Sequence, residues 1–312
     1  MTPSDAPFPY ATPRAFETAL TARFKAASVG SPFNHSQLRR QFAYDRLLAR
    51  CFAADDAHRW ILKGGISMLA RLGQARHSAD VDLVVQAADV TTALAELRRT
   101  AARDLGDLFT FTLAPPRSLV QGIEGVRVPA QALLGRRVFE SFHIDLVTGV
   151  RVTGPAETAA PIVPLDIPGL VRPDYRIYPL ADSVADKVCA IVERHQERPS
   201  TRFRDLCDLV LVARTQTLYA SKLRQALDSE HHRRALDRTA AFEVPDPTLW
   251  SAGYAKAVKD VSGLEAFRTL PEALALVKAL IDPVLSGQAE GCWNPEAAAW
   301  DHQGGAQVVH GP

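Results

Sequence analysis

Residues 77–85 carry the information that decides the fold: His77-Ser78-Ala79-Asp80-Val81-Asp82-Leu83-Val84-Val85. The β-branched and apolar residues of its second half predict a strand. Because strand side chains alternate between two faces, Ser78, Asp80 and Asp82 share one face and apolar residues form the other. Two carboxylates on one face repel each other unless a cation lies between them. The segment therefore predicts a metal-binding strand, and a solvated strand edge is the alternative that it leaves open.

A further aspartate lies in the apolar segment Phe142-His143-Ile144-Asp145-Leu146-Val147. Alternation places Asp145 on the same face as His143, opposite the apolar side chains, and an aspartate in such surroundings needs a partner or a metal. Carboxylate oxygens suit Mg²⁺ or Mn²⁺, and two such ions can hold both reacting oxygens of a phosphoryl transfer. The alternative is an aspartate that caps a turn toward Gly149.

A glycine pair precedes the first aspartates, in Leu62-Lys63-Gly64-Gly65. Glycines before a short helix, here predicted over residues 66–72, let the backbone approach a ligand closely, and the free N–H groups of the helix start can hold phosphate. A simple turn is the alternative. The spacing of a Walker phosphate-binding loop is absent.

A lysine lies on a helix predicted over residues 182–194, with Asp182 as its N-cap. Lys187 borders the apolar stripe of this helix, so its amine either reaches solvent or meets the charge of a bound phosphate. The position alone leaves both possibilities open.

The next helical segment contains Arg202-Phe203-Arg204-Asp205-Leu206-Cys207-Asp208-Leu209. Asp205 and Asp208 lie three residues apart on the flank of its apolar face. They can pair with Arg202 and Arg204 as an ordinary salt-bridged surface, or they can orient Lys187.

The bulk composition excludes several classes of protein. The net charge is only +1, so a nucleic-acid surface must be a local patch. The four cysteines are scattered without a C-x-x-C pair, which argues against structural zinc. The start of the chain has no signal-peptide pattern, and no apolar run reaches the ~18 residues of a membrane span. We expect a cytoplasmic protein that does not contact membranes.

The chain is expected to contain a mixed α/β lobe followed by a helical lobe. A proline-rich stretch over residues 153–179 predicts an extended connection between them, and Trp293 and Trp300 suggest that the end of the chain docks. The expected regions are an N-terminal lead and helix over residues 1–36, the α/β lobe over 37–165, the helical lobe over 166–290 and a tail over 291–312.

Together these motifs resemble the AbiEii/AbiGii toxin family of nucleotidyltransferases, which includes the MenT toxins. The resemblance covers about residues 37–215 in order, and its parts are Trp60–Gly65, Arg71, Arg76–Leu83, Asp145, Ala185–Lys187 and Arg202–Leu209. One departure concerns the wider nucleotidyltransferases, which begin the first helix with Gly-Ser. Here Ile66 follows Gly64 and Gly65, so only the backbone can contact phosphate at that point.

The resemblance implies an α+β fold with a polymerase-β-like nucleotidyltransferase lobe, a mixed sheet, and a helical lobe after it. It also implies an Mg²⁺-dependent (or Mn²⁺-dependent) enzyme that uses a nucleoside triphosphate (NTP). The implied metal ligands are Asp80, Asp82 and Asp145. Lys187 and Asp208 complete the implied catalytic set, and the implied nucleotide-binding residues are Lys63, Gly64, Gly65, Arg76, Ser78, Arg204 and Asp205.

As the toxin of a toxin–antitoxin pair, such an enzyme is expected to add a pyrimidine nucleotide to the 3′ acceptor end of tRNA and so block translation. A cognate antitoxin protein is the expected partner. Candidate tRNA contacts, which a charged helix face explains equally well, are Arg98, Arg99, Arg103, Arg136, Arg137, Arg233, Arg234 and Arg238. Two alternatives stay open: a small-molecule or protein acceptor, and a non-catalytic NTP-binding partner protein.

Overall fold

The computed structural model describes residues 7–73, 77–119, 124–195, 198–237 and 239–301. They form two compact units. The first contains the described residues up to Val150 and residues 156–178, and the second contains residues 151–155 and the chain from Pro179 onward. The expected boundary near residue 165 thus lies within a stretch that belongs to the first unit.

The first unit is built on a mixed sheet, as expected. Its helices are α1 (Pro13–Ala27), α2 (His35–Phe52), α3 (Gly64–Leu72) and α4 (Val90–Ala101), with a 3₁₀ turn at Asp55–Arg59. Its strands are β1 (Trp60–Lys63), β2 (Asp80–Val85), β3 (Phe109–Leu113), β4 (Arg117–Ser118), β5 (Gly125–Leu134), β6 (Arg137–Val147), β7 (Glu157–Ala159) and β8 (Tyr175–Ile177). The strand order is β3-β5-β6-β2-β1-β8-β7, and β4 pairs with β5.

In this sheet, strand β2 runs parallel to its neighbour β6, and β1 runs parallel to its neighbour β8. The other pairs of adjacent strands are antiparallel. The strands β5 and β6 extend beyond their apolar segments. They form a hairpin whose pairing continues up to the two-residue turn that joins them. Gly135 begins this turn with a φ of +62°, a conformation that suits glycine. The proline-rich stretch is not only a connection, since it contributes β7 and β8 to the sheet.

One face of the sheet is buried under helices. Val81, Leu83 and Ile144 are fully covered, and they belong to a core that includes residues from α1, α2 and α4. Phe42 lies in the middle of a group of aromatic rings, with its centroid 6.0 Å from that of Phe109. Because strand side chains alternate, burying these apolar residues leaves the aspartates of β2 and β6 on the opposite, more open face.

The second unit contains α5 (Leu180–Val192), β9 (Arg194–His195), β10 (Arg198–Pro199), α6 (Phe203–Thr215), β11 (Leu218–Tyr219), α7 (Ala220–Arg234), α8 (Pro247–Ala257), a 3₁₀ turn at Val258–Asp260, α9 (Leu270–Leu285), β12 (Cys292–Asn294) and β13 (Ala299–Asp301). The expected docking of the final segment is confirmed as far as residue 301. Trp293 is fully buried and donates from Nε1 to the Ala213 carbonyl at 2.7 Å, while Trp300 donates to the Leu280 carbonyl at 3.1 Å.

The expected N-cap of α5 was wrong. The helix begins at Leu180 with Pro179 in the cap position, where the backbone is still non-helical with a ψ of 144°. Asp182 lies in the first turn, where its carboxylate accepts hydrogen bonds from the backbone N–H and the hydroxyl of Thr153, both at 3.0 Å. Burial raises the pKa of Asp182.

Among the described helices, none combines the length and the apolar character needed to cross a bilayer.

Candidate active site

The three predicted metal-binding aspartates lie together on the open face of the first unit's sheet. Strands β2 and β6 run parallel, and their register places Asp82 beside Asp145 and Asp80 beside His143. All four side chains therefore project from the same face. The imidazole Nδ1 of His143 lies 3.6 Å from Asp80 Oδ1. The structure brings together carboxylates that are more than sixty residues apart in the chain.

Gly64 lies directly against Asp82. Its φ is +65°, and a Cβ added to it would lie 1.9 Å from Asp82 Oδ2. Both the conformation and the space therefore require glycine. Gly64 is also the first residue of α3, so the start of this helix lies beside the carboxylates. Ser67, in the next turn, donates its hydroxyl to the Gly64 carbonyl at 2.9 Å.

Two other predicted nucleotide-binding residues lie close to the aspartates. Lys63 ends β1 directly across from Asp82, and its Nζ lies 4.9 Å from the centroid of the Tyr178 ring. Ser78 precedes β2, is buried, and donates its hydroxyl to the backbone carbonyl of Asp80 at 3.1 Å. Arg76 lies outside the described residues.

Arg127 is a residue of this cluster that the sequence analysis missed. It lies on β5 directly across from Asp145, to which it donates from Nε and Nη2, both at 2.7 Å. Its Nη2 also lies 3.2 Å from Asp80 Oδ2. These hydrogen bonds with Asp145, helped by the negative charge of the nearby aspartates and opposed by partial burial, raise the pKa of Arg127 above its ordinary value. The guanidinium bridges two of the three predicted ligands.

The donor set fits a hard divalent cation, because it consists of carboxylate oxygens on one face. The bridging guanidinium shows directly that a cation fits between Asp80 and Asp145. In the described part of the chain, however, no three His, Cys, Asp or Glu side chains are already spaced as ligands of one ion. The carboxylates are gathered around Arg127 instead.

A cavity opens beside Asp80. Its volume is about 600 Å³. Polar side chains line part of it, and Pro129 and Phe142 contribute apolar surface; the polar residues are Arg40, Asp80, Thr112, Gln131, Ser141 and His143. The space is large enough for a nucleotide-sized ligand.

In the second unit, Lys187 is held by both aspartates of α6. Its Nζ lies 2.8 Å from Asp205 Oδ1 and 2.6 Å from Asp208 Oδ2. All three residues are buried, with Asp208 completely inaccessible. Both arrangements that the sequence left open are therefore present in part: the two aspartates hold the lysine, and Asp205 also pairs with Arg202. Arg204 is exposed, and Arg202 contacts Asp205 at 3.7 Å.

Several of the arginines considered for tRNA are engaged in local ion pairs. Arg103 pairs with Asp56, and Arg233 and Arg234 both pair with Glu230. The side chain of Arg137 is 84% exposed. Arg238 lies outside the described residues.

The whole chain can be compared with known proteins. Solved structures with similar folds include MenT4, a nucleotidyltransferase toxin of Mycobacterium tuberculosis, with 19% identity over 86% of this chain and 98% of the other, at a TM-score of 0.49. JHP933 from Helicobacter pylori matches with 17% identity over 82% and 96% of the two chains, at a TM-score of 0.45. No curated protein matches the sequence. The model of the family described as "Nucleotidyl transferase AbiEii toxin, Type IV TA system" matches residues 46–279, well over half of the chain. The chain therefore belongs to the AbiEii family of nucleotidyltransferase toxins.

Proposed function

We propose that this nucleotidyltransferase uses Mg²⁺ (or Mn²⁺) to transfer a nucleoside monophosphate from an NTP, with a pyrimidine preferred, to the 3′ acceptor end of tRNA in the cytoplasm. The modified tRNA cannot be aminoacylated, so translation stops. A cognate antitoxin protein opposes this activity. The observation that carries the proposal is the cluster of Asp80, Asp82 and Asp145 on one sheet face, next to the glycine-initiated helix α3.

The three aspartates are proposed to hold the metal. A bound divalent ion would neutralise the triphosphate and favour loss of a proton from the attacking hydroxyl. The parallel register supports this role, because it places Asp82 and Asp145 at the same level of neighbouring strands. Gly64 supports it too, since any side chain at that position would displace the Asp82 carboxylate.

Phosphate binding is assigned to the residues that surround this cluster. The backbone N–H groups at the start of α3, at Gly64 and Gly65, carry the positive end of the helix dipole, which favours anions. Lys63 adds a cation at the end of β1. Ser78 and Arg76 are proposed as further phosphate contacts.

In the proposed reaction, the 3′ hydroxyl oxygen of the acceptor attacks the α-phosphorus of the NTP. The bond from this phosphorus to the bridging oxygen of the β-phosphate breaks, and pyrophosphate leaves with the electron pair. Asp145 accepts the hydroxyl proton. Lys187, oriented by Asp205 and Asp208, is proposed to stabilise phosphate charge together with Arg204. Most of the rate enhancement then comes from positioning and electrostatics.

The cavity beside Asp80 supports a bulky acceptor. It is nucleotide-sized, it borders a proposed metal ligand, and it combines hydrogen-bonding side chains with apolar surface. Proteins recognise unpaired terminal nucleotides of RNA by stacking side chains against the bases and by hydrogen bonds to the base edges.

The test uses the full-length protein with Mg²⁺, each α-³²P-labelled NTP in turn, and total bacterial tRNA. We expect label on tRNA with one or both pyrimidine NTPs, and none when the tRNA has been oxidised with periodate, which destroys its 3′ hydroxyl. Asp80→Asn should abolish the labelling.

The other outcomes separate the alternatives. Label in a small molecule or a protein, with tRNA unlabelled, would refute the tRNA assignment. Binding of NTP without any product would instead favour a non-catalytic partner protein. Addition of the product of a neighbouring antitoxin gene should suppress labelling in the wild-type protein.

A further inference from the structure

Arg127 occupies the space between two proposed metal ligands. Its guanidinium makes two parallel hydrogen bonds to Asp145, each 2.7 Å long, and reaches Asp80 at 3.2 Å. Such forked contacts between guanidinium and carboxylate are strong and directional. A divalent ion placed between Asp80 and Asp145 would draw on the same carboxylate oxygens that the guanidinium contacts, so the two cations compete for them.

The position of Arg127 is not fixed by the core. Its side chain is 42% exposed, and the hydrogen bonds described for it all go to carboxylates. Arg117, which is exposed, lies directly across from it on β4, away from Asp145. Like charges that face each other across strands repel, so Arg117 favours the orientation of Arg127 toward the aspartates.

We propose that Arg127 is a resident cation that competes with the divalent metal for Asp80 and Asp145. This inference rests on the proposed metal-dependent function. Without metal, the guanidinium neutralises carboxylates that would otherwise repel each other. Loading of metal requires the side chain to leave these oxygens, and its exposure allows this without disturbance of the sheet. Asp82, the third carboxylate, favours the divalent ion over the monovalent guanidinium.

The test measures the binding of Mn²⁺ alone to the purified full-length protein, by the electron paramagnetic resonance signal of the free ion. The variants are Arg127→Gln, which removes the competing charge, Arg127→Lys, which keeps the charge and removes the fork, and Arg117→Gln, which removes a charge one strand further out. Circular dichroism checks that each variant is folded.

Arg127→Gln should tighten Mn²⁺ binding by roughly tenfold or more, since the charge-assisted hydrogen bonds to Asp145 and Asp80 no longer have to be broken. Arg127→Lys should give a smaller gain, and it remains informative if the glutamine variant fails to fold. Arg117→Gln should change binding much less. Unchanged or weaker binding in the Arg127→Gln and Arg127→Lys variants, or an equal effect of Arg117→Gln, would overturn the inference.

This outcome is distinct from failure of the proposed function. If no acceptor is labelled while Arg127→Gln still tightens Mn²⁺ binding, the competition stands and the reaction assignment fails. If Mn²⁺ binds the wild-type protein and Arg127 variants alike, the reaction can still be correct and the competition is wrong.

Discussion

Two arginine–aspartate pairs in the first unit have similar hydrogen bonds and very different surroundings. Arg50 donates to Asp107 at 2.9 and 3.0 Å, and Arg127 donates to Asp145 at 2.7 Å. The Arg50–Asp107 pair is completely buried, whereas the Arg127 side chain is 42% exposed.

The difference extends to their other partners. Arg50 also donates to the backbone carbonyls of Arg46, Arg103 and Phe109, so its guanidinium is fixed by the chain itself. The contacts described for Arg127 involve only carboxylates. A strong ion pair can therefore be structural or exchangeable, and its exposure and its backbone partners distinguish the two kinds.

Asp80→Asn should reduce nucleotidyl transfer at least a thousandfold, because a metal ligand contributes several kcal/mol to the transition state. The stability of the fold should change little, since a partly exposed carboxylate is lost from a repulsive cluster. Transfer rates and urea unfolding measure both effects. Asp166→Asn, at an exposed position of the same unit, is the matched control. Substantial transfer by Asp80→Asn would contradict the metal assignment.

Asp107→Asn should lower the free energy of unfolding by about 3 kcal/mol, because it removes the carboxylate that pairs with the buried Arg50 and one of the two carboxylates near the buried Arg46. Transfer per folded molecule should be unchanged. Urea denaturation gives the first quantity, and active-site-normalised rates give the second. Asp104→Asn, at an exposed position nearby, should change stability by less than about 0.5 kcal/mol. Equal effects of the two substitutions would show that the buried pair is not structural.

The two ion pairs also show what the sequence could and could not predict. Alternation alone placed Asp80, Asp82 and Asp145 on the open faces of their strands, since the apolar residues between them must be buried. The partner of Asp145 was not predictable in this way. The pairing of Arg127 with Asp145 depends on the β5–β6 register, which the turn at Gly135 and the one-residue register shift between Ala132 and Leu133 set together.

The second unit gives the complementary case. Helical periodicity placed Asp205 and Asp208 on the flank of α6, next to its apolar face, yet both are buried. A carboxylate can be buried when a counter-charge offsets its desolvation, and that charge is Lys187, on another helix. Periodicity within one element cannot reveal a partner from a second element. The role of Lys187 in catalysis stays a prediction.

Gly64→Ala should reduce the rate of nucleotidyl transfer by roughly a hundredfold. The added Cβ would push the Asp82 carboxylate away by about an ångström or more, and a misplacement of this size has a rate cost of that order. Gly73→Ala is a matched control, because Gly73 has the same φ of +65° with no atom within 4 Å of the added Cβ. Both variants carry the same backbone strain, so their difference in transfer rate isolates the contact with Asp82. Similar rates for the two would show that this contact does not position the carboxylate.

Ser141→Tyr should raise the KM for the acceptor by about tenfold and leave the KM for NTP unchanged, because the larger side chain fills part of the cavity beside Asp80. Steady-state kinetics with both substrates varied provides the measurement. Thr110→Tyr adds the same ring at an exposed position on β3 that does not line the cavity. If the NTP KM rises instead, the cavity belongs to the nucleotide and the acceptor lies elsewhere.

The smallest effect concerns His77, which precedes the aspartate strand and is half-buried. Its ring nitrogen Nε2 lies 3.3 Å from the Gln37 carbonyl, and burial lowers its pKa below the ordinary value of 6.5. Below pH 6.5 the unfolded chain therefore binds a proton more readily than the folded protein does. The contribution of the neutral ring to stability is present above pH 6.5 and is lost as the pH falls through the window below it.

Urea unfolding between pH 7.5 and pH 5 measures this dependence. His77→Gln, which does not titrate there, should lose up to about 1 kcal/mol less stability over this range than the wild-type protein. His58→Gln, at an exposed position, should follow the wild-type curve. If His77→Gln follows it too, burial does not discriminate against the charged ring. This half-buried histidine would then behave as the exposed one does despite its different surroundings. The rule inferred from the arginines, that surroundings decide whether a charge is structural, would not extend to imidazoles.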